Sequence, residues 1–159
     1  MDHDSSRQLG HDTVDRDTAS ARARLATGRN WLADLETHAE LVVRPHEVTV
    51  QLVMDLALVT RREVALFRMA NGERVLMLGS AHPRRIPKGK VVRCLLHSHP
   101  GGGLVFSRAD IEALITYSKD GNGRPSSIIV VPYFSERGRV PVQRLNAREN
   151  EAGSEKPTR

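Results

Sequence analysis

The sequence predicts a mixed α/β domain in which a central β-sheet is flanked by helices. Several short segments contain alternating or continuous apolar residues, which is typical of strands. The segment that begins near residue 108 repeats its apolar side chains at helical spacing. The dipeptide Asn71-Gly72 lies between two apolar runs, which is a strong signal for a β-hairpin. The predicted order of elements in this domain is helix, hairpin, strand, helix, strand and strand.

We divide the chain into four parts by its composition and periodicity. The two ends, 1–18 and 146–159, are polar and aperiodic, so we expect disordered tails there. Residues 19–43 repeat apolar side chains at roughly helical spacing and are predicted to be a helical extension or a linker, although Gly28 interrupts the pattern. Residues 44–145 then form the folded domain, because a chain of this size buries enough apolar surface for one core.

The elements of the folded domain follow from local patterns. The stretch "HEVTVQLVMDLALVT" alternates like a strand at first and then fits a helix, and its length favours a helix. The runs on either side of Asn71-Gly72 are predicted to pair through a type I′ turn, since both residues tolerate a positive φ. The stretch "VVRCLLHSH" is predicted to be a buried strand, and "SRADIEALITYS" a helix. "IIVVPYF" and "RVPVQRL" complete the order as strands, and Pro132 indicates a sheet edge or a strand end.

The composition limits the partners and the compartment. The net charge is +5, but the arginines are interleaved with acidic residues and no aromatic platform accompanies them, so we expect no nucleic-acid partner. A single cysteine, Cys94, lies in an apolar run, which favours a core residue in a reducing compartment. The N-terminus has no apolar segment typical of a secretory signal, and no run approaches the roughly 20 apolar residues of a membrane span. We therefore expect a cytoplasmic protein without a membrane partner.

One short region combines metal-ligand, loop and helix-start residues. His97 and His99 are two residues apart at the end of a predicted strand, so both imidazoles should project from the same face. Two such groups can bind one Zn²⁺, and a catalytic zinc usually takes a third protein ligand. Asp110 is the candidate, because Pro100 and the glycines after it would let the next helix turn back over the strand end.

Each of these signals also has a purely structural explanation. A His-x-His pair can occur by chance. Ser107 and Asp110 form an S-x-x-D capping pattern, in which the serine caps the helix and the acidic residue suits its dipole. The three glycines could be only a flexible loop. The joint arrangement of all these residues is what favours a metal site.

The arrangement resembles a known family of zinc enzymes. His97-Ser98-His99-Pro100, followed after six residues by Ser107-Arg108-Ala109-Asp110, is similar to the H-x-H-P-x6-S-x-x-D motif of the JAMM (MPN+) metalloproteases. The resemblance covers residues 44–145 and points to a compact prokaryotic form. It implies an architecture like that of MPN domains and cytidine deaminases. It also implies that Zn²⁺ is held by His97, His99 and Asp110.

The resemblance assigns two further roles. The family has a catalytic glutamate on an earlier strand, and Glu63 in "REVALF" matches that context, with Glu47 as a second choice. Glu63 would take a proton from the zinc-bound water and return it to the leaving amine. Ser107 would donate a hydrogen bond to the developing oxyanion.

Three functions remain open at the level of sequence. The first is a zinc-dependent hydrolase that cleaves peptide or isopeptide bonds, after the C-terminus of a ubiquitin-like or sulfur-carrier protein or within a bacterial toxin or conflict system. Its partner would be a protein or peptide substrate. The second is a RadC-like protein linked to DNA metabolism, although that family usually has "HNHPSG" where this chain has "HSHPGG". The third is a non-catalytic MPN scaffold, but such relatives generally lack one or more ligands and all are present here.

Overall fold

The computed structural model describes residues 16–79, 87–99, 107–119, 126–130 and 142–146. The helices in this part are α1 (16–25), α2 (Trp31–Thr37), α3 (Val50–Thr60) and α4 (Arg108–Lys119). The strands are β1 (Leu41–Val43), β2 (Val64–Met69), β3 (Arg74–Leu78), β4 (Val91–Ser98), β5 (Ser126–Val130) and β6 (Val142–Asn146). The predicted mixed α/β class is confirmed, and the order of elements from α3 to β6 agrees with the prediction.

The strands form one sheet in the order β1-β3-β2-β4-β5-β6. Neighbouring strands are antiparallel except for β4 and β5, which are parallel. The four strands from β1 to β4 make up an antiparallel block, and β2 lies at its centre between β3 and β4. The strand predicted as "IIVVPYF" begins two residues earlier, at Ser126, and is described as far as Val130, while its predicted residues 131–134 lie outside the described residues.

Apolar side chains pack on both faces of the sheet. On β2, Val64 and Leu66 belong to a core cluster that also contains buried residues of α1, α2 and α3, whereas Phe67 and Met69 face the other way. The second cluster includes Cys94 and is covered by α4 through Ile111 and Ile115. This alternation follows from the two-residue period of a strand. The sheet therefore separates a layer of three helices from α4.

The segment predicted as an extension, 19–43, packs against the sheet. Its helical pattern is divided into two helices, α1 and α2, because Gly28 between them has a φ of +82°. Trp31 and Leu35 belong to the same core cluster as α3, and β1 pairs with β3. The helix α1 includes residues 16–18, which were predicted to be part of the N-terminal tail. Asn146, the first residue of the predicted C-terminal tail, is the last residue of β6. The rest of the predicted tails, 1–15 and 147–159, lies outside the described residues.

The ambiguous segment before β2 is a helix, as its length indicated. Thr49 has an extended backbone and its Oγ1 accepts a hydrogen bond from the backbone N–H of Leu52 over 3.1 Å. This is the geometry of an N-cap, which satisfies one of the free N–H groups of the first helical turn. Of the alternating residues Val48, Val50 and Leu52, only Val48 precedes the helix, and the other two lie in its first turn.

The hairpin is confirmed, but the predicted type I′ turn is wrong. Gly72 has a φ of +89°, whereas Asn71 is not in the positive-φ region. The backbone N–H of Gly72 donates to the carbonyl oxygen of Met69 over 3.0 Å. The N–H of Met69 in turn donates to the carbonyl oxygen of Glu73 over 2.9 Å. These bonds enclose a loop of residues 70–72 that ends in a left-handed glycine, which is the usual three-residue hairpin loop.

An irregularity in β4 determines which of its residues share a face. Phe67 on β2 is opposite Cys94, and Ala65 is opposite His97. The two positions are two residues apart on β2 but three apart on β4, so β4 carries one extra residue between them, as in a β-bulge. Cys94 and His97 therefore lie on the same face of the sheet, the one that α4 covers.

Candidate metal centre

Two secondary-structure elements bring the three predicted ligands together. His97 lies near the end of β4, His99 follows that strand directly, and Asp110 lies in the first turn of α4. His97 and Asp110 are each 4% exposed, and the side chain of His99 is 18% exposed. The predicted turning loop with Pro100 and the glycines lies outside the described residues. The cluster is thus buried on the β4 side and opens to solvent beside His99.

The ligand atoms have the separations that one bound ion would require. The Nε2 atoms of His97 and His99 are 3.2 Å apart. Asp110 Oδ1 is 3.7 Å from His97 Nε2, and Asp110 Oδ2 is 3.5 Å from His99 Nε2. Atoms that bind one Zn²⁺ at about 2.0–2.1 Å with tetrahedral angles lie roughly 3.3–3.4 Å apart. A metal ion could therefore be held by His97, His99 and Asp110. Among the described residues, these three form the cluster of histidine, cysteine or acidic side chains whose ligand atoms are close enough to share an ion.

Ser107 orients the carboxylate of Asp110. Its backbone N–H donates to Asp110 Oδ2 over 2.8 Å, and its hydroxyl donates to the same oxygen over 2.7 Å. The hydroxyl also accepts a hydrogen bond from the backbone N–H of Asp110 over 3.2 Å, so the predicted capping arrangement is present. Because both donors of Ser107 bind Oδ2, they fix the rotation of the carboxylate and direct Oδ1 towards His97.

The environment of Asp110 favours its ionised form. Burial raises the pKa of this carboxyl group, but several interactions lower it by more. These are hydrogen bonds from His99 and from the hydroxyl and backbone of Ser107, together with the charge of His97. The resulting pKa lies well below the ordinary range of an aspartate. The group is therefore a carboxylate near neutral pH, which is the form that binds a metal ion.

The second ring nitrogen of His97 faces the core. Cys94 Sγ is 4.0 Å from His97 Nδ1 and 3.7 Å from the carbonyl oxygen of Leu96. Cys94 is 5% exposed, which confirms that it is a core residue. The partners of the second nitrogen orient a metal-binding histidine. The thiol thus limits the space in which the ring of His97 can turn.

Glu63 immediately precedes β2, beside the strand that carries the histidines. Ala65 is paired with His97, so the same antiparallel register continued by two residues places Glu63 opposite His99. The backbone carbonyl of Glu63 accepts a hydrogen bond from the N–H of Gly79 over 2.6 Å. The residue is half-buried. Its role as a catalytic base stays a prediction, because its place follows from the sheet register alone.

Glu47, the second choice for the base, is engaged elsewhere. Its carboxylate accepts hydrogen bonds from Arg29 Nη1 over 2.7 Å and from the backbone N–H of Arg44 over 2.9 Å. Arg29 also donates to Asp34 on α2. Glu47 therefore belongs to an ion-pair network between α2 and the segment that leads to α3.

Ser98 is a residue of this region that sequence reasoning did not single out. It lies between the two histidines, it is completely buried, and its Oγ accepts a hydrogen bond from the backbone N–H of Val64 over 2.9 Å. The motif leaves this position unspecified. The one signal in the sequence was that Ser98 is polar although it lies in a predicted buried strand. Because side chains alternate along a strand, that position faces away from the histidines.

Within the described part of the chain, no helix has the length and apolar character needed to cross a bilayer. Comparisons of the chain with protein-family models, with curated proteins and with solved structures gave no match.

Proposed function

We propose that this chain is a zinc-dependent hydrolase that cleaves peptide or isopeptide bonds in a protein or peptide substrate. The observation that carries the proposal is the spacing of His97, His99 and Asp110, whose ligand atoms are 3.2–3.7 Å apart in a largely buried cluster. At 3.2 Å the two imidazole nitrogens can also share one N–H···N hydrogen bond, but the carboxylate oxygens of Asp110 lie at a similar distance from both rings. One ion bound by all three side chains accounts for this convergence.

The ligand set suits zinc and leaves room for chemistry. Two imidazoles and one carboxylate form a common catalytic zinc set, in which the fourth position stays open for water or substrate. The partial exposure of His99 provides access on one side. When bound, Zn²⁺ would act as a Lewis acid and lower the pKa of a water molecule to about 7.

Two residues of the chain would manage protons and charge in this reaction. Glu63, opposite His99 in the sheet register, would accept a proton from the attacking water and deliver it to the leaving amine. Ser107 would donate a hydrogen bond to the oxyanion that develops on the scissile carbonyl. To do so, its hydroxyl has to turn away from Asp110 Oδ2, to which it donates over 2.7 Å. The backbone N–H of Ser107 would continue to hold the carboxylate during that rotation.

We further propose that the chain is a compact JAMM metalloprotease. In support, the motif residues come from adjacent elements, with His97 near the end of β4, His99 directly after it, Asp110 on α4 and Glu63 directly before β2. A ubiquitin-like or sulfur-carrier protein, or a protein of a bacterial toxin system, is the corresponding substrate. The complete ligand set argues against a non-catalytic scaffold.

Metal analysis by mass spectrometry tests the proposal first. We expect about one zinc per chain in the wild type and in Glu63→Gln, and loss of zinc in His97→Ala, His99→Ala and Asp110→Ala. Glu112→Gln is a matched control, because this carboxylate is on α4 but exposed and paired with Arg108. If the wild type binds no zinc even after reconstitution with Zn²⁺, the proposal of a metal centre is wrong.

Activity then separates the roles. With fusions of ubiquitin-like proteins as substrates, Glu63→Gln should lower turnover by about 10²–10⁴-fold while it keeps its zinc. Full activity in this variant would show that another residue is the base. Hydrolysis that depends on DNA and falls steeply with salt concentration would instead support the RadC-like alternative.

A further inference from the structure

Three arginines that are far apart in the sequence lie side by side in the sheet. Arg68 on β2 is directly opposite Arg74 on β3 and directly opposite Arg93 on β4. Directly opposed residues of antiparallel strands project from the same face, with Cβ atoms about 4.5–5.5 Å apart. We call Arg68, Arg74 and Arg93 the arginine row.

The arginine row is on the face of the sheet opposite the candidate metal centre. Arg68 lies between Phe67 and Met69, both of which pack in the cluster beneath α4. Because side chains alternate along a strand, Arg68 points to the other face. His97, in contrast, is opposite Ala65 and shares the α4 face. Any function of the row is therefore spatially separate from the proposed catalysis.

The row concentrates positive charge at an accessible end of the sheet. Arg68 is exposed, and Arg74 and Arg93 are half-buried. Among the described residues, neither Arg68 nor Arg74 forms an ion pair with a carboxylate. Lys90 is exposed at the start of β4, where its carbonyl oxygen accepts a hydrogen bond from the backbone N–H of Ala70 over 2.8 Å. Like charges directly opposite each other destabilise a sheet, so an external anion would relieve this repulsion.

We propose that the arginine row is a docking surface for an acidic segment of a partner protein. A guanidinium group presents a planar set of donors that matches a carboxylate with two parallel hydrogen bonds. Arg68 and Arg74, on adjacent strands about 4.8 Å apart, would engage successive carboxylates of an acidic segment, and Arg93 adds positive charge beside them. The net charge of +5 adds a long-range attraction to an acidic partner.

A protein partner fits the surroundings of the row better than a single-stranded nucleic acid does. Proteins that bind single strands combine basic groups with exposed aromatic rings on which the bases stack. In the part of the chain for which side chains are described, Trp31 is 8% exposed and Phe67 is 6% exposed, so neither provides such a ring. The row offers ionic contacts without a stacking platform, as an acidic protein segment requires.

Binding of fluorescent probes to the full-length protein tests this proposal. A short polyglutamate peptide should bind the wild type, and the double variant Arg68→Glu/Arg74→Glu should bind it roughly tenfold more weakly or worse. The matched control is Arg16→Glu/Arg22→Glu, which makes the same change of net charge on exposed positions of α1 and should bind like the wild type. Thermal unfolding would verify that the variants are folded. If the double variant does not fold, the single variant Arg68→Gln replaces it, and we expect a smaller loss of peptide affinity in that variant.

Three outcomes would overturn the proposal. An equal loss of peptide binding in both double variants would show an effect of net charge alone, and the absence of binding to the wild type would show no docking surface. Tighter binding of an oligothymidylate of the same charge, lost in the arginine-row variant, would show that the partner is a nucleic acid. None of these results depends on zinc content, so the peptide-binding experiment tests this surface independently of the proposed hydrolase.

Discussion

The hydroxyl oxygen of Ser98 accepts a hydrogen bond from the backbone N–H of Val64 over 2.9 Å, and both residues are completely buried. This contact joins the end of β4 to the start of β2. Ser98 lies between His97 and His99, and Val64 follows Glu63. This hydrogen bond therefore adds to the pairing of β2 with β4 in fixing the ligand strand beside the proposed base.

Replacement of Ser98 by alanine should destabilise the fold. The change leaves the buried N–H of Val64 without this acceptor, so we expect the free energy of unfolding to fall by about 1–3 kcal/mol. Urea denaturation measures it. Thr116→Ala is the control, because this hydroxyl is exposed and donates to a carbonyl of its own helix, and its effect should stay within about 0.5 kcal/mol. Equal stability of both variants would mean that the hydrogen bond to Ser98 contributes nothing.

Gly79 allows β3 to approach Glu63 closely. A Cβ atom at this position would lie 3.0 Å from the Cβ of Glu63 and 3.2 Å from its carbonyl oxygen. Because backbone and Cβ atoms cannot easily move aside, Gly79→Ala should lower the free energy of unfolding by about 1–3 kcal/mol. Zinc binding should persist, since the proposed ligands lie at the end of β4, directly after it and on α4.

Calorimetry and metal analysis of the same Gly79→Ala sample would check both parts of this expectation. Glu36→Ala is a suitable control, because this position of α2 is exposed and its effect on stability should stay within about 0.5 kcal/mol. Unchanged stability in Gly79→Ala would show that the strands can separate at this point without cost.

The stability contributed by Glu47 should depend on pH. Its pKa is lowered chiefly by the hydrogen bond from the backbone of Arg44, and also by Arg29, although burial opposes the shift. Since the folded pKa lies below the unfolded value of about 4.3, the contribution is fully present above that pH and is lost as the pH falls through the folded pKa. The stability difference between the wild type and Glu47→Gln should therefore shrink in acid.

Urea denaturation at a series of pH values measures this difference. The exposed Glu36 of α2 provides a control variant, Glu36→Gln, which should match the wild type within about 0.5 kcal/mol near neutral pH. Glu47→Gln should also keep full hydrolytic activity. A loss of turnover without a loss of zinc would make Glu47, and not Glu63, the base.

The contact between α1 and α3 should contribute to stability. Arg24 donates two hydrogen bonds to Asp55, over 2.9 and 2.7 Å, and Asp55 is 3% exposed. Gln51 also donates to this carboxylate. Arg24→Ala removes the paired charge and should lower the free energy of unfolding by about 1–2 kcal/mol, because Gln51 satisfies the carboxylate only in part.

Arg22→Ala is the matched control for this contact, since Arg22 is exposed on the same helix. Chemical denaturation of the two variants compares them directly. If Arg24→Ala is as stable as Arg22→Ala, then α1 is held by its apolar contacts through Leu25 and not by the ion pair.

The helices and strands from residue 50 onward could be predicted because each has a local cause. Thr49 caps α3, Ser107 caps α4, and a glycine ends the loop between β2 and β3. The error in the turn type has a local origin as well. Asn-Gly is compatible with a type I′ turn, but the register of β2 and β3 encloses three residues, so only Gly72 takes a positive φ.

The ligand residues could be named from the sequence, but their spatial relation could not. His97 and His99 are neighbours on one strand, so their common site follows from the strand period. Asp110 reaches them only because α4 packs on the same face of the sheet, through Ile111 and Ile115. The orientation of its carboxylate by Ser107 is local to the helix start, and it agrees with the capping pattern seen in the sequence.

By itself, the sequence determined the mixed α/β class, the order of elements from α3 onward and the candidate ligands, because these depend on residue type and on spacing over a few positions. Only the tertiary structure decided that Ser98 ties β4 to Val64, that a bulge places Cys94 beside His97, and that three separate arginines form a row. The physical reason is strand register. Contacts between strands depend on which residues pair across the sheet, and a shift of one position would move every side chain to the other face.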